Sequence, residues 1–291
     1  MTLDDWERGG AHTAHRGHSI FYREEGSGDA LLCIHGFPTA SWDWHRVWPA
    51  LVQRFRAIAP DLIGFGFSAK PRRYTYSILD QADLCEGLLR SRGVSQTRIL
   101  AHDYGDTVAQ ELLARFAERR RKGDGGIEIK SVAFLNGGLF PEVHRARFVQ
   151  KLLHSPLGPV LALLQDERRF ARAFAPVFGP RTRPSREEMS DFWRLVSREG
   201  GARIAHKLIR YIAERRRFRE RWVGALRSAS VRLRFINGPE DPVSGGHMAE
   251  RYRELVPRAD VVILEGIGHY PQVEDPQGVL RALSAFWDGG A

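Results

Sequence analysis

A tight strand–turn–helix motif around residue 103 constrains the fold of this chain more than any other feature. The apolar run 98–101 predicts a strand, residues 107–115 predict a helix, and Asp103 lies between them, flanked by Ala101 and Gly105. Small flanking residues let the chain nearly fold back on itself. Such a bend presents one side chain above a sheet, and its common form with serine carries a catalytic nucleophile. The motif therefore predicts an α/β fold with a reactive group at residue 103.

A carboxylate at the tip of this bend restricts the chemistry. Asp103 cannot carry out the proton relay of a serine nucleophile, but a carboxylate can attack a saturated carbon and form a covalent alkyl ester. Because neither serine nor cysteine occupies the bend, hydrolysis of carboxylic esters is disfavoured.

Positive charge is in excess but clustered. The 291 residues include 44 Lys and Arg against 35 Asp and Glu, a formal charge of +9. Three runs carry much of the arginine, at 115–122, 168–172 and 215–221. We interpret them as solvated helix faces, because no aromatic-interleaved or helix-turn-helix pattern accompanies them. We therefore predict no nucleic-acid partner.

The cysteines and the N-terminal segment indicate the compartment. Cys33 and Cys85 stand alone, without the spacing of a disulfide framework or metal site, as is usual for thiols of a reducing compartment. The acidic segment 1–7 lacks the apolar core of a signal peptide. No window approaches the ~18 uninterrupted apolar residues that would predict a membrane span. We expect a cytoplasmic protein without a membrane span.

Short apolar strands alternate with helices through most of the chain, which predicts a parallel sheet covered on both faces. One predicted helix spans residues 42–53. The strand pattern stops near Phe140, and the following segment is helical, rich in arginine and interrupted by prolines. We interpret this segment as an inserted cap. The predicted division is a core of residues 1–136 and 223–291 with a cap of residues 137–222.

Three further motifs follow predicted strands, at the edge where open α/β sheets place their sites. The first is His35-Gly36-Phe37-Pro38. The backbone N–H groups of Phe37 and Tyr104 are the expected donors to a developing oxyanion.

The other two motifs supply a carboxylate and an imidazole. Asp241 follows the strand at 231–236, with Glu240 as an adjacent rival, and His269 follows the strand at 261–264. The chain order of nucleophile, acid and histidine is the order known for this kind of bend. We predict that Asp241 orients His269 and that His269 is the catalytic base.

Several motifs together resemble the epoxide hydrolase and haloalkane dehalogenase branch of the α/β-hydrolase fold, most closely its mesoderm-specific transcript members. The motifs that carry the resemblance are His35–Pro38, Asp61–Ser68, His102–Leu113, Asn136–Glu142, Thr182–Pro184, Arg221–Leu226 and His269–Gln272, with Asp241. The resemblance implies the α/β-hydrolase fold, with a mostly parallel eight-stranded sheet and an inserted helical cap.

The resemblance also implies a reaction. Asp103 would attack an epoxide or a halide-bearing carbon, and water activated by His269 would hydrolyse the ester. Our principal prediction is an epoxide hydrolase whose partners are a small epoxide or halogenated substrate and water, with no cofactor and no metal.

Enzymes of this branch differ in the side chains that stabilise the leaving group. Dehalogenases use a Trp directly after the nucleophile, where this chain has Tyr104, whereas epoxide hydrolases use cap tyrosines. Tyr211 is the one tyrosine in the predicted cap, and its phenol stays neutral and can donate a proton at pH 7. His144 is a weaker second donor, and we place it with His35 and Asn136 in the substrate pocket.

Two alternatives remain open. One is a haloalkane or haloacid dehalogenase with the same nucleophile, although Tyr104 disfavours the first kind, and the second usually has arginines near the nucleophile. The other is a non-enzymatic member similar to the mesoderm-specific transcript group, against which the retained Asp103, Asp241 and His269 argue. Asp106 stands where the branch usually has Gly or Ala, and pairing with a neighbouring arginine is one interpretation.

Overall fold

An eight-stranded sheet forms the centre of the structure, a computed structural model that describes residues 1–289. Its strands are β1 (Gly10–His15), β2 (His18–Glu25), β3 (Ala30–Ile34), β4 (Arg56–Pro60), β5 (Gln96–His102), β6 (Glu128–Leu135), β7 (Arg232–Asn237) and β8 (Val261–Ile263). They lie in the order β1-β2-β4-β3-β5-β6-β7-β8. Strand β2 is antiparallel to both neighbours, and β3 to β8 are mutually parallel. The predicted mostly parallel sheet is therefore confirmed.

Helices follow most of the strands. They are α1 (Leu3–Arg8), α2 (Trp48–Leu51), α3 (Ile78–Ser91), α4 (Tyr104–Lys122), α5 (Phe148–His154), α6 (Gly158–Leu163), α7 (Glu167–Phe174), α8 (Arg186–Ser197), α9 (Ala205–Leu208), α10 (Tyr211–Arg217), α11 (Arg219–Arg227), α12 (Gly246–Leu255), α13 (Pro271–Glu274) and α14 (Pro276–Asp288). Short 3-10 helices span Ser41–Trp44, Ala175–Val177 and Arg198–Ile204. Among residues 1–289, none of the helices combines the length and the apolar run that crossing a bilayer requires.

Both faces of the sheet are buried, because successive side chains of a strand point to opposite faces. In β3, Leu32 and Ile34 belong to the core that includes α3, α4 and α12. Leu31 and Cys33 of the same strand belong to the opposite core, which includes α1, α2 and α14. Hydrophobic side chains on both faces explain why this strand reads as one continuous apolar run.

Helices α5 to α11 lie between β6 and β7 in the chain and form the inserted segment. Its C-terminal end is fastened to the core at Glu111 of α4, which accepts hydrogen bonds from Trp222 Nε1 at 2.8 Å and Arg221 Nε at 2.7 Å. Helix α11 continues past residue 222, where we predicted the end of the cap. The division at residues 137 and 222 therefore stays a proposal.

Two local elements differ from the sequence-based expectation. The helix predicted over residues 42–53 is a 3-10 turn at Ser41–Trp44 followed by the short helix α2. Pro49 lies in the first turn of α2 and has no N–H to bond to the preceding turn, so one continuous helix does not form. Strand β1 was not predicted, because its sequence Gly-Ala-His-Thr-Ala-His lacks an apolar stripe.

The topology brings four loops to one edge of the sheet. Parallel strands β3, β5, β7 and β8 all end there, so the residues that follow them meet above the sheet. These residues are His35, Asp103, Asp241 and His269. Neighbouring parallel strands thus gather groups that are far apart in the sequence.

Candidate active site

The bend at Asp103 has the strained backbone that its sequence predicts. Asp103 has φ 46° and ψ −100°, in a region that residues with a side chain rarely occupy. A Cβ at Gly105 would overlap the backbone oxygen of Ile34 and lie 2.8 Å from that of His35. Glycine is therefore required where α4 crosses close to the end of β3. The bend holds the Asp103 carboxylate 3% exposed, at the N-terminus of α4.

One backbone N–H group contacts the Asp103 carboxylate, and a second belongs to the residue that follows Asp103. The N–H of Phe37 donates to Asp103 Oδ2 at 3.1 Å. Tyr104 is the first residue of α4, where N–H groups have no partner within the helix. The Tyr270 hydroxyl donates to the Phe37 carbonyl at 3.3 Å and so steadies the loop that carries the first donor. The structure thus places the Phe37 N–H against the carboxylate, and the role of the Phe37 and Tyr104 N–H groups as oxyanion donors stays a prediction.

His269 lies between two carboxylates. Its Nδ1 is 2.7 Å from Asp241 Oδ2, and its Nε2 is 3.8 Å from Asp103 Oδ2. Glu240, the rival of Asp241 in the sequence, is exposed. The arrangement orients the ring through Nδ1 and leaves Nε2 facing the carboxylate at the bend.

Asp241 is fixed by three groups besides His269. Its Oδ1 accepts the N–H of Val243 at 2.7 Å, and its Oδ2 accepts the Ser244 hydroxyl at 2.7 Å and Asn136 Nδ2 at 3.0 Å. Burial raises the pKa of Asp241, but the charge of His269 and these hydrogen bonds outweigh it, so the pKa lies below its usual value. Asp241 therefore remains an ionised partner for the imidazole.

The two carboxylates set the charge state of His269. Burial lowers the pKa of the imidazole, but Asp241 and Asp103 outweigh burial and raise it above its ordinary value. Burial likewise raises the pKa of Asp103, but its close contact with His269 and the charges of His269 and Arg215 bring the pKa below the usual range. At neutral pH the resting site therefore holds an ionised Asp103 beside a protonated His269.

Two residues predicted to line the substrate pocket have structural contacts instead. His35 Nε2 accepts the N–H of Leu62 at 3.0 Å, and its Nδ1 bonds the Gly36 carbonyl at 2.8 Å. Asn136 bonds Gly238 from both ends of its amide and also reaches Asp241. Both side chains are fully buried and tie neighbouring loops together. Their role in the pocket stays a prediction.

The cap contributes Tyr211, the predicted proton donor, from the start of α10. Its ring centroid lies 4.8 Å from that of Tyr104 and 6.0 Å from that of Phe37. Its hydroxyl is buried and has no hydrogen-bond partner among residues 1–289. Burial raises the pKa of the phenol, which keeps the proton in place.

Sequence analysis missed Arg215, which was assigned to a solvated arginine run. The side chain is 2% exposed, and its Nη2 lies 2.8 Å from the Asp103 carbonyl and 3.5 Å from Asp103 Oδ1. The spacing from Tyr211 could have revealed it, since residues four apart share one helix face. Arg216 and Arg217, which occupy other faces, are exposed as expected.

Asp106 is a buried acid in the first turn of α4. Neither carboxyl oxygen has a hydrogen-bond partner within the described part of the chain, so the suggested pairing with an arginine is wrong. Burial and the neighbouring charge of Asp103 raise its pKa well above the usual value. Burial therefore favours the protonated, uncharged form of Asp106 next to Asp103.

A mostly apolar cavity of about 110 Å³ extends from the catalytic groups into the cap. Phe37 and His269 form part of its wall, and cap side chains form most of the rest. The apolar members from the cap are Val149, Leu153, Phe170, Ala173, Phe174, Val177, Trp193, Val196, Ala202 and Ala205. Such a lining suits a small, uncharged organic substrate.

Comparisons with known proteins agree with this geometry. Residues 31–282 match the model of the alpha/beta hydrolase family. The mesoderm-specific transcript homolog protein of Bos taurus is 46% identical over 295 residues, which cover 98% of this chain and 87% of that protein. These matches confirm the resemblance predicted from the motifs.

Solved structures share the fold. The haloalkane dehalogenase DbeA-M1 loop variant from Bradyrhizobium elkanii matches with a TM-score of 0.79 at 24% identity, over 96% of each chain. The epoxide hydrolase CorEH matches with a TM-score of 0.76 at 21% identity, over 96% of this chain and 98% of that one. At these identities the two structures establish the architecture that this chain shares with them.

We predict that Asp241→Asn shifts the titration of His269 to lower pH, because it removes the carboxylate bonded to Nδ1. The raised pKa means that the charged ring stabilises the fold fully below pH ~6.5. That stabilisation is lost as the pH rises toward about 10. Nitrogen-15 NMR of labelled histidines measures the midpoint in both proteins.

His102 provides the internal control for this titration. Burial lowers its pKa to about 3, so its signals should stay those of a neutral ring above pH 5. Equal His269 midpoints in the wild type and in Asp241→Asn would contradict the assigned pairing.

Proposed function

Because the chain belongs to the alpha/beta hydrolase family, we propose that it is an epoxide hydrolase that acts through a covalent ester on Asp103. The observation that carries the proposal is the position of His269, which faces the Asp103 carboxylate with Nε2 and Asp241 with Nδ1. A carboxylate held beside an imidazole and a backbone N–H has the parts needed to form an alkyl ester and then hydrolyse it.

The first step is a displacement at carbon. One oxygen of Asp103 forms a bond to an epoxide carbon, and the C–O bond of the ring breaks with its electron pair going to the ring oxygen. Tyr211 donates its proton to that oxygen. Phe37 N–H holds Asp103 Oδ2, so Oδ2 becomes the carbonyl oxygen of the ester and Oδ1 is the attacking atom.

Ester formation prepares the second step by changing the charge of the site. Asp103 loses its negative charge when it becomes an ester, and one of the two carboxylates that raise the pKa of His269 disappears. The imidazole then releases its proton more readily and can act as a base. It takes a proton from water, whose oxygen attacks the ester carbonyl. The N–H groups of Phe37 and Tyr104 stabilise the resulting oxyanion.

Collapse of this intermediate releases the diol and regenerates Asp103. The proton balance closes because His269 keeps the proton that it takes from the attacking water and so regains its resting charge, while the tyrosinate left by the first step regains from bulk water the proton that His269 had released. The reaction consumes one water and one epoxide, and these are the only partners that we propose. We also propose a cytoplasmic location, since Cys33 and Cys85 are buried free thiols.

A haloalkane dehalogenase is the second candidate. The same nucleophile and base serve it, but a halide leaves without a proton, so Tyr211 would have no role as an acid. The indole donor of dehalogenases is replaced by Tyr104, whose side chain is 1% exposed and packs against Phe65 and Tyr211. The unpartnered hydroxyl of Tyr211 is the observation that favours an epoxide.

We predict that His269→Gln accumulates the ester on Asp103, because glutamine cannot activate the water for the second step. The purified variant is incubated with a panel of epoxides and haloalkanes, and its peptides are examined by mass spectrometry. An adduct on the peptide containing Asp103, with diol formed only by the wild type, is expected for an epoxide.

Asp103→Asn is the matched control and should form no adduct with any substrate. Halide release with an adduct from haloalkanes alone would select the dehalogenase. If neither substrate class gives a product or an adduct, the non-enzymatic alternative similar to mesoderm-specific transcript proteins is supported and our proposal is wrong.

We predict a separate effect for Tyr211→Phe in the His269→Gln background. Ester formation from an epoxide should slow by roughly 10²- to 10⁴-fold, the usual contribution of a general acid. Ester formation from a bromoalkane should slow by much less, since bromide needs no proton. Rapid-quench mass spectrometry measures both rates.

Tyr252→Phe is the control for this experiment, because Tyr252 also has a buried hydroxyl without a partner among residues 1–289 but lies in α12. An equal loss with epoxide and bromoalkane would show that Tyr211 only supports packing.

A further inference from the structure

Arg215 is a buried cation at the centre of the candidate site. Three of its contacts anchor it to the bend: Nε donates to the Thr107 hydroxyl at 2.7 Å, and Nη2 donates to the Asp103 carbonyl at 2.8 Å and approaches Asp103 Oδ1 at 3.5 Å. Its Cζ lies 4.5 Å from the centre of the Tyr211 ring. An arginine side chain keeps its positive charge in such surroundings. The guanidinium is thus held rigidly beside the nucleophile.

One end of this guanidinium is unused. Arg215 Nη1 has no hydrogen-bond partner among residues 1–289, and the same holds for Tyr211 Oη and His144 Nε2. Buried polar atoms without partners are uncommon and call for an explanation. Arg215 contacts Asp103 and packs on Tyr211, and the charge of Asp103 also acts on the pKa of Tyr211 and of His144, so a single ligand near these groups would account for all three atoms.

Gly138 indicates that these groups lie in one place. A Cβ at residue 138 would overlap Arg215 Nη1 and lie 3.0 Å from His144 Cδ2, the ring atom next to Nε2. The unused ends of Arg215 and His144 therefore meet at the same glycine. Burial and the charge of Arg215 lower the pKa of His144 to about 3, so its ring is neutral.

The charges around Arg215 balance only while Asp103 is ionised. The contact with Asp103 is the one ion pair that Arg215 makes within the described residues, and burial favours the uncharged form of Asp106. Ester formation on Asp103 removes this counter-charge. A buried charge left without a partner is strongly unfavourable, so the site needs a new anion at the moment when the ester forms.

The reaction itself generates that anion. When an Asp103 oxygen bonds to carbon, the electron pair of the broken bond leaves with the departing atom as a halide or an alkoxide. We propose that Arg215 is the centre of a binding site for this small anion, and the inference rests on the proposed function. Arg215 exchanges one anion for another: it pairs with the carboxylate at rest and with the leaving group once the ester exists.

The negative charge of a halide and that of an alkoxide are handled differently at this site. A halide stays as the anion until it diffuses away. An alkoxide takes the proton of Tyr211, and the tyrosinate then carries the negative charge next to the guanidinium, until it regains a proton from bulk water. In both cases Arg215 has an anionic partner at every stage.

An equilibrium measurement tests the anion site without any turnover. Asp103→Asn keeps the shape of the nucleophile but removes its charge, as ester formation does. We predict that this variant binds one bromide per chain at least about tenfold more tightly than the wild type, since a hydrogen bond to a charged group usually contributes that much. Isothermal titration calorimetry with sodium bromide, at constant ionic strength, measures both affinities.

Two further variants test whether the bromide affinity depends on the positive charge of Arg215, and diffraction tests where the bromide binds. The double variant Asp103→Asn with Arg215→Gln should lose the gain in affinity, whereas Asp103→Asn with Arg215→Lys should retain part of it because the cation remains. Anomalous diffraction from bromide in Asp103→Asn crystals should show a peak next to Arg215 Nη1. Equal affinity in the wild type and Asp103→Asn, or bromide found only elsewhere, overturns the inference.

The bromide experiment and the ester-trapping experiment can fail independently, so failure of the anion site can be distinguished from failure of the proposed function. Bromide bound at Arg215 in Asp103→Asn, with no ester trapped by His269→Gln, would leave an anion site in a protein that does not perform the proposed reaction. An ester trapped on Asp103 without any bromide site would remove the role of Arg215 and keep the hydrolase.

Discussion

The site depends on the compensation of one buried negative charge. Asp103 is 3% exposed in a strained bend, and burial alone would favour its neutral form. The Phe37 N–H, His269 and Arg215 restore the ionised form from three sides. We propose that each compensating group also has a use once the charge leaves: the first holds an oxyanion, the second becomes a base, and the third receives the leaving group. The groups that stabilise the charge of Asp103 in the resting site are thus the same groups that we propose to act in ester formation and hydrolysis.

The sheet and the cap contribute different parts of this arrangement. The ends of parallel strands carry the proposed nucleophile, base, orienting acid and oxyanion loop, whose positions follow from the topology. The inserted helices supply Tyr211, Arg215 and most of the cavity wall. Glu111 connects the two by bonding Arg221 and Trp222 just after α10. The position of α10 over the bend is therefore fixed by the core, although the choice of leaving group depends on the cap.

The sequence predicted the parts that local rules determine. The bend at Asp103 follows from its small flanking residues, and the meeting of His269 with Asp241 follows from strand-end positions. Arg215 was missed because a run of arginines reads as a solvated surface, and only the packing of α10 shows that one of them is buried. Asn136 was expected near the substrate, but its amide fits between two loops. Contacts made by an inserted segment depend on its orientation, which periodicity does not encode.

The most direct test of the central claim follows the oxygen atoms in a single turnover. Wild-type protein in excess over an epoxide is allowed to react once in water enriched in oxygen-18, and both the product and the Asp103 peptide are analysed by mass spectrometry. The account predicts that the new hydroxyl of the product carries the ordinary oxygen of Asp103 and that Asp103 acquires oxygen-18. Oxygen-18 in the product and none in Asp103 would show that water attacks the substrate directly, and would contradict the covalent intermediate.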